Sequence, residues 1–197
     1  MTDVPMRFAD VPLLWTVDDV YTPAECAAFI ERIEAGEPSI ATNNPLYRNQ
    51  DRVIFDDPAT AEDLFQRLEA HLPAKIGELD LVGLNERLRC YRYQRGQRFA
   101  EHMDHWYRPT PNRITLLTIL VYFNASGSKS PDDFEGGETR FTEQLEELVV
   151  PRPGLVAISQ HKIRHEGCEV RRGTKYALRT DVVYEAPTPI RLTFEEP

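Results

Sequence analysis

Cysteine is scarce in this chain: Cys26, Cys90 and Cys168 are the only three, odd in number, far apart and without a CxxC pair. That spacing argues against a disulfide framework or a zinc knuckle. Glycine and proline are sparse too, 10 and 15 of 197 residues, too few for a fibrous or low-complexity protein. No uninterrupted apolar run approaches the roughly 20 residues of a helical membrane span. The longest, from Ile114 to Phe123, is strand-like and broken by threonines. The segment from Met1 to Asp10 has no basic stretch followed by an apolar one, so no secretory signal is expected. Positive charge is in deficit, 23 Lys+Arg against 32 Asp+Glu for a net charge of −9. A phosphate backbone needs a basic footprint, so nucleic acid is not an expected partner. These absences lead us to expect a soluble cytoplasmic protein without a membrane partner.

With 41% hydrophobic and 28% charged residues, the chain has the composition of a folded domain. A chain of this size buries roughly 70% of the surface it exposes when unfolded, so it needs no staples. The expectation is one domain over residues 1–197, helical up to about 85 and β-rich over about 86–185. Thr22-Pro23-Ala24-Glu25 reads as a helix start, with Thr22 at the cap, Pro23 in the first turn and Glu25 placed to return a bond. Cys26, Phe29, Ile30 and Ile33 follow at helical spacing, and Gly36 closes the element. A second amphipathic helix is expected from Pro58 to about His71, and a polar surface loop over Pro38 to Arg52.

From Arg87 onward short alternating runs predict strands. They include Phe99 to Asp104, Ile114 to Asn124, Glu138–Phe141, Leu148–Val150, Leu155–Ser159, His165–Val170 and Tyr176–Tyr184. Many short strands after two helices predict a mainly β fold of the α+β kind. Its core would be a double-stranded β-helix, a jelly roll like that of the cupins, with helices packed on one side.

Glu101-His102-Met103-Asp104-His105 places His102 and Asp104 two residues apart, on one face if the segment is a strand. A jelly roll can bring His165 beside them. Two histidines and one carboxylate on one face of an ion form the facial set of non-haem Fe(II) oxygenases. His105 would project the other way, His161 reads as a turn residue, and His71 suits a helix end. Lys175 lies ten residues after His165, Tyr93 nine before His102, and Thr139 within Gly136-Gly137-Glu138-Thr139.

Taken in order, these motifs resemble the Fe(II)/2-oxoglutarate-dependent dioxygenases, specifically the prolyl-4-hydroxylase-like branch, from about Leu13 to Tyr184. The resemblance implies that His102, Asp104 and His165 hold Fe(II). It implies that Lys175 binds the distal carboxylate of 2-oxoglutarate, helped by Tyr93 and Thr139. The implied reaction uses O2, decarboxylates 2-oxoglutarate to succinate and CO2, and hydroxylates an aliphatic C–H of a prolyl, amino-acid-like or other small-molecule or peptidyl substrate. Two other readings compete: a cupin-like metal-binding module without turnover, and a zinc-dependent hydrolase, since the same ligands hold zinc. Arg179 shares the face of Lys175 by alternation and needs an anionic partner. That partner is either an internal acid such as Asp181 or a substrate carboxylate. The Asn124–Gly136 segment is expected to act as a lid. Oligomeric state is not legible.

Overall fold

The computed structural model describes residues 1–42, 44–127, 133–142 and 145–193. Residues 128–132, the middle of the expected lid, lie outside them.

The first helix, Pro23–Ala35, starts where the sequence places it. Glu25 N–H donates to Thr22 Oγ1 at 3.3 Å, and Thr22 N–H donates to the Glu25 carboxylate at 2.7 Å. Two N-terminal donors that the helix cannot satisfy internally are thereby satisfied. Thr22→Ala should lower stability by about 1 kcal/mol, read as a shifted urea midpoint with unchanged slope. The second helix, Pro58–Leu68, is capped by Asp57 and runs into a single 3-10 turn, Glu69–His71. The 3-10 turn carries the helical segment to His71, where the sequence pattern places its end, and Leu72 then turns to extended backbone ahead of Pro73.

The long sheet is ordered Leu14–Val17, Val156–Gln160, Arg113–Tyr122, Lys175–Glu185, Arg87–Tyr93, Asp51–Asp56 and Ser39–Ile40, with Leu79–Leu84 joining the far end of Lys175–Glu185. A smaller sheet is ordered Glu147–Val149, Thr139–Phe141, His165–Gly167, Phe99–His102. Alternation gives the long sheet two faces. Cys90, Ile119, Val121, Ile158 and Leu178 face the helices and cluster with Cys26, Ile33, Leu64 and Leu68. Tyr122, Ala157 and Ala177 face the other way and meet Phe141 and Val149 of the small sheet. The result is a sandwich of two sheets with both helices on one outer face, the double-stranded β-helix expected. Among the described residues no helix is long and apolar enough to cross a membrane.

The N-terminal part contains more strand than expected. Asp51–Asp56 and Ser39–Ile40 lie within or beside the segment read as a loop, and Leu14–Val17 and Leu79–Leu84 also join the long sheet. Apart from Ser39–Ile40, which borders Asp51–Asp56, these strands pair with partners far along the chain, such as Arg52 with Tyr91, so local composition carries no trace of them.

Candidate active site

The strands Phe99–His102 and His165–Gly167 run antiparallel with His102 directly opposite His165. Each ring is fixed by its own chain two residues back. His102 Nδ1 lies 2.8 Å from the Ala100 carbonyl, and His165 Nδ1 lies 3.0 Å from that of Ile163. A carbonyl can only accept, so Nδ1 carries the proton and each Nε2 keeps a free lone pair. The Nε2 atoms stand 3.9 and 3.8 Å from the two Asp104 oxygens. All three ligand atoms lie within 4.8 Å of one another. Phe99 stacks on the His102 ring at 3.6 Å and 14°, and burial followed by the neighbouring His165 pushes the His102 pKa down to about 4. That ring is neutral at pH 7, as a metal ligand must be.

Asp104 reaches this point by a different route from the one expected. The strand stops at His102, so simple alternation does not aim Asp104. Its backbone N–H donates instead to the His161 carbonyl at 2.9 Å. Thr118 Oγ1 donates to one carboxylate oxygen at 2.5 Å, and Arg179 Nη1 lies 3.0 Å from the other. Burial works against the charge of Asp104, but Arg179 and then His165 outweigh it and hold the carboxyl well below the usual range. A charged carboxylate between two imidazole nitrogens fits a divalent cation.

Arg179 is paired with internal acids. Besides Asp104 it holds Asp181 at 2.9 Å, and Asp181 in turn accepts from Arg89 at 3.1 Å and Asn85 at 3.3 Å. Asp181 is the internal acid weighed from the sequence. His161 is buried in a turn with Nε2 3.5 Å from Asp181, the outer limit of a hydrogen bond, and it stays outside the ligand cluster. His105 is exposed.

Lys175, only 2% exposed, stands opposite Tyr93 in the neighbouring strand. Its ammonium donates to the Gly137 carbonyl at 2.7 Å and sits 5.0 and 5.3 Å from the ring centroids of Tyr93 and Tyr122. The glycine pair explains itself here. Gly136 and Gly137 take φ of +76° and +65°, and a side chain at Gly137 would crowd Phe134, Val170 and the Lys175 stem. Burial pushes the Lys175 pKa down to about 8, opposed in part by Cys168 and Glu138. A buried ammonium with no carboxylate on it among the described residues is suited to receive an anion. Thr139 accepts a 2.7 Å bond from Tyr122. Tyr93, Thr139, Lys175, His102, His165 and Arg179 all line one narrow cavity. Larger surface grooves exist elsewhere, as between Pro58 and Tyr107, but among the described residues the ligand cluster belongs to this cavity.

Thr118 and Tyr122 escaped the sequence reading. The signal was available: Thr118, Leu120 and Tyr122 alternate within an otherwise apolar strand, and they mark its inward face.

Residues 88–180 match the model of the 2OG-Fe(II) oxygenase superfamily, a span that contains the three clustered ligands, Tyr93, Thr139 and Lys175. With the clustered His102, Asp104 and His165, this match marks the chain as an oxidoreductase, a dioxygenase that works with Fe(II), 2-oxoglutarate and O2. No curated protein matches the sequence. Among solved structures, the viral collagen prolyl hydroxylase of Paramecium Bursaria Chlorella virus-1, in its 2-oxoglutarate complex, is 21% identical, with TM-score 0.69 over 90% of this chain and 98% of that one. A Pseudomonas putida prolyl-4-hydroxylase is 18% identical, with TM-score 0.63 over 89% and 94%. A Trichoplax adhaerens prolyl hydroxylase, bound to a hypoxia inducible factor peptide fragment, is 13% identical, with TM-score 0.62 over 86% and 83%. These likenesses establish the shared fold.

Proposed function

We propose that this chain, as one catalytic domain, hydroxylates an aliphatic C–H of a prolyl or amino-acid-like group, free or within a peptide. The observation that carries the reading is the convergence of His102, Asp104 and His165 beside the buried Lys175. His102 and His165 would supply their Nε2 atoms and Asp104 its carboxylate to Fe(II). Thr118 and Arg179 would hold that carboxylate in place. Lys175 would receive the distal carboxylate of 2-oxoglutarate, with Tyr93 forming the wall beside it and Thr139 positioned through Tyr122. With these groups bound, the iron supplies the oxidation: 2-oxoglutarate and O2 give succinate and CO2, and one oxygen atom enters the substrate C–H bond. A zinc hydrolase would have no use for a buried lysine ten residues beyond the second histidine. A cytoplasmic location belongs to the same proposal, supported by three free thiols, of which burial pushes Cys26 up to about 11 and Cys90 up to about 12.

Succinate formation from 2-oxoglutarate by the Fe(II)-loaded protein, with a panel of prolyl peptides and free amino acids, tests the reading. Turnover stimulated by a panel member supports it, whereas metal binding with no succinate under any condition returns the chain to a binding module. The lysine also sets a pH dependence. In the free protein Lys175 is charged below about pH 8 and neutral above it. Binding a carboxylate favours the charged form, so at higher pH the complex must take up a proton. The affinity of the Mn(II)-loaded protein for 2-oxoglutarate should therefore be flat below about pH 8, then fall toward about tenfold per pH unit. A flat profile to pH 10 would exclude Lys175 as the counter-charge.

A further inference from the structure

Most half-buried arginines in this chain hold a carboxylate. Arg32, Arg89, Arg92 and Arg179 each have one within 3.1 Å. Arg48 and Arg52, both half-buried, do not: among the described residues neither has an acid within ion-pair distance. The chain has nine more acids than bases, so the omission is not for want of carboxylates.

Their location gives the omission meaning. Arg52 is opposite Tyr91, and Tyr91 is opposite Ala177, so the three share one face of the long sheet. Tyr91 and Ala177 line the cavity of the ligand cluster, whereas the alternate residues Val53 and Phe55 pack toward the helices. Arg48 closes over the same wall, with its guanidinium carbon 4.5 Å from the Phe99 ring centroid and 5.6 Å from that of Tyr91. Phe99 is the ring stacked on His102. The amide oxygen of the buried Gln50, turned toward Arg48, accepts from Nε at 3.1 Å and Nη2 at 3.3 Å, which fixes the guanidinium but leaves its charge unmatched. Burial, and then the proximity of Arg48, Arg89 and Arg87, hold Arg52 below the ordinary arginine range, with Tyr91 acting the other way. Like charges gathered on a half-buried wall cost stability unless a ligand neutralises them. Beside them Leu46 and Tyr47 are 85% and 42% exposed, and Tyr47 sits edge-on to Phe99 at 5.5 Å, so the rim is open and partly apolar.

We propose that Arg48 and Arg52 form a cationic subsite beside the iron-binding cluster, separate from Lys175, which binds a carboxylate of the substrate. This deepens the hydroxylase reading and rests on it for the word substrate. Two guanidinium groups offer the paired donors that a carboxylate accepts. The substrate is then an anionic one, with its negative group across Tyr91 and Phe99 from the carbon to be oxidised. That carboxylate belongs either to an acidic side chain flanking the target residue in a peptide or to a free small acid.

The test uses the full chain loaded with Mn(II) and 2-oxoglutarate, and calorimetric binding of matched probes. One pair is the blocked pentapeptide Gly-Glu-Pro-Glu-Gly and its Gly-Gln-Pro-Gln-Gly counterpart; the other is N-acetylproline and its amide. The parent should prefer one acid over its amide by about tenfold or more, and which pair shows it names the source. Arg48→Gln with Arg52→Gln should erase that preference, and Arg52→Lys should retain part of it. Mn(II) affinity and thermal unfolding report whether each variant is folded; if the double glutamine variant is not, Arg52→Gln alone carries the comparison. Equal affinity for acid and amide in the parent, including no binding of either, overturns the subsite, as does a preference that survives the glutamine variants. Fe(II)-dependent succinate formation is scored separately. An acid preference without any succinate would sink the hydroxylase reading and leave an anion-binding site, whereas succinate with no acid preference does the reverse.

Discussion

Replacing Asp104 with alanine should reduce Mn(II) or Fe(II) affinity by more than about 100-fold, since even removal of an outer partner of a metal ligand costs about 10–100-fold. The geometry gives the reason. The two imidazoles come from neighbouring strands and an imidazole ligates through an uncharged nitrogen, so the negative charge offered to a cation is the carboxylate between them. The same substitution also strips Arg179 of one of its two acids. Breaking a buried pair from one side costs about 3–5 kcal/mol, and the retained Asp181 should bring this case to the lower end. Asp104→Asn separates the two effects, because the amide oxygen can still accept from Arg179 or Thr118 while the charge is gone. Equilibrium dialysis against Mn(II), beside a urea titration, reads both. Parent-like Mn(II) affinity in Asp104→Asn and Asp104→Ala alike would remove Asp104 from the ligand set.

Lys175→Ala should raise the Kd and apparent KM for 2-oxoglutarate by about 30- to 150-fold, the equivalent of about 2–3 kcal/mol for one buried charge-assisted bond. Metal affinity should move little, because the ammonium touches Gly137 and two tyrosine rings and none of the three ligands. The split between 2-oxoglutarate and metal is the diagnostic, since a lysine needed only for folding would damage both. Lys175→Arg is not a mild control here. The ammonium sits in a space closed by Gly137, Tyr93 and Tyr122, and a planar guanidinium is larger and differently shaped. An unchanged KM in Lys175→Ala would assign the 2-oxoglutarate carboxylate elsewhere.

The ligand cluster was legible because its residue types are rare in strands and each sits in a locally readable context. The pair His102 and Asp104 is two residues apart, and His165 opens its own strand. The first helix was legible down to its capping box for the same reason, since caps are local chemistry. What the sequence hid is non-local. The strand Asp51–Asp56 looks like the end of a polar loop until Arg87–Tyr93 lies beside it. Asp104 looks like a strand residue until the His161 carbonyl takes its N–H. Arg179 shares its face with Lys175 as alternation predicts, yet which acid it meets depends on two strands folding over each other. Thr118 and Tyr122 were passed over because an apolar strand reads as core, and its few polar positions count only once one face is known to look onto a cavity.

The opposition of His102 and His165 has a thermodynamic side. The strand Phe99–His102 ends the small sheet, with His165–Gly167 on one flank and the Tyr47–Asn49 segment on the other, joined by Ala100 N–H to Tyr47 C=O at 2.8 Å and Asn49 N–H to Arg98 C=O at 3.2 Å. A cation held by both histidines is a cross-strand rivet, and it binds only the assembled pair. Loading is therefore linked to folding: at a free metal concentration 100 times Kd, the folded state gains about 2.7 kcal/mol by mass action. The gain falls on a margin of the sheet rather than on its centre. Amide exchange along residues 99–102, and in the neighbouring 47–49 segment that carries Arg48, should slow on loading more than exchange in the long central strand. The iron site would thus set how firmly the wall of its own entrance is held.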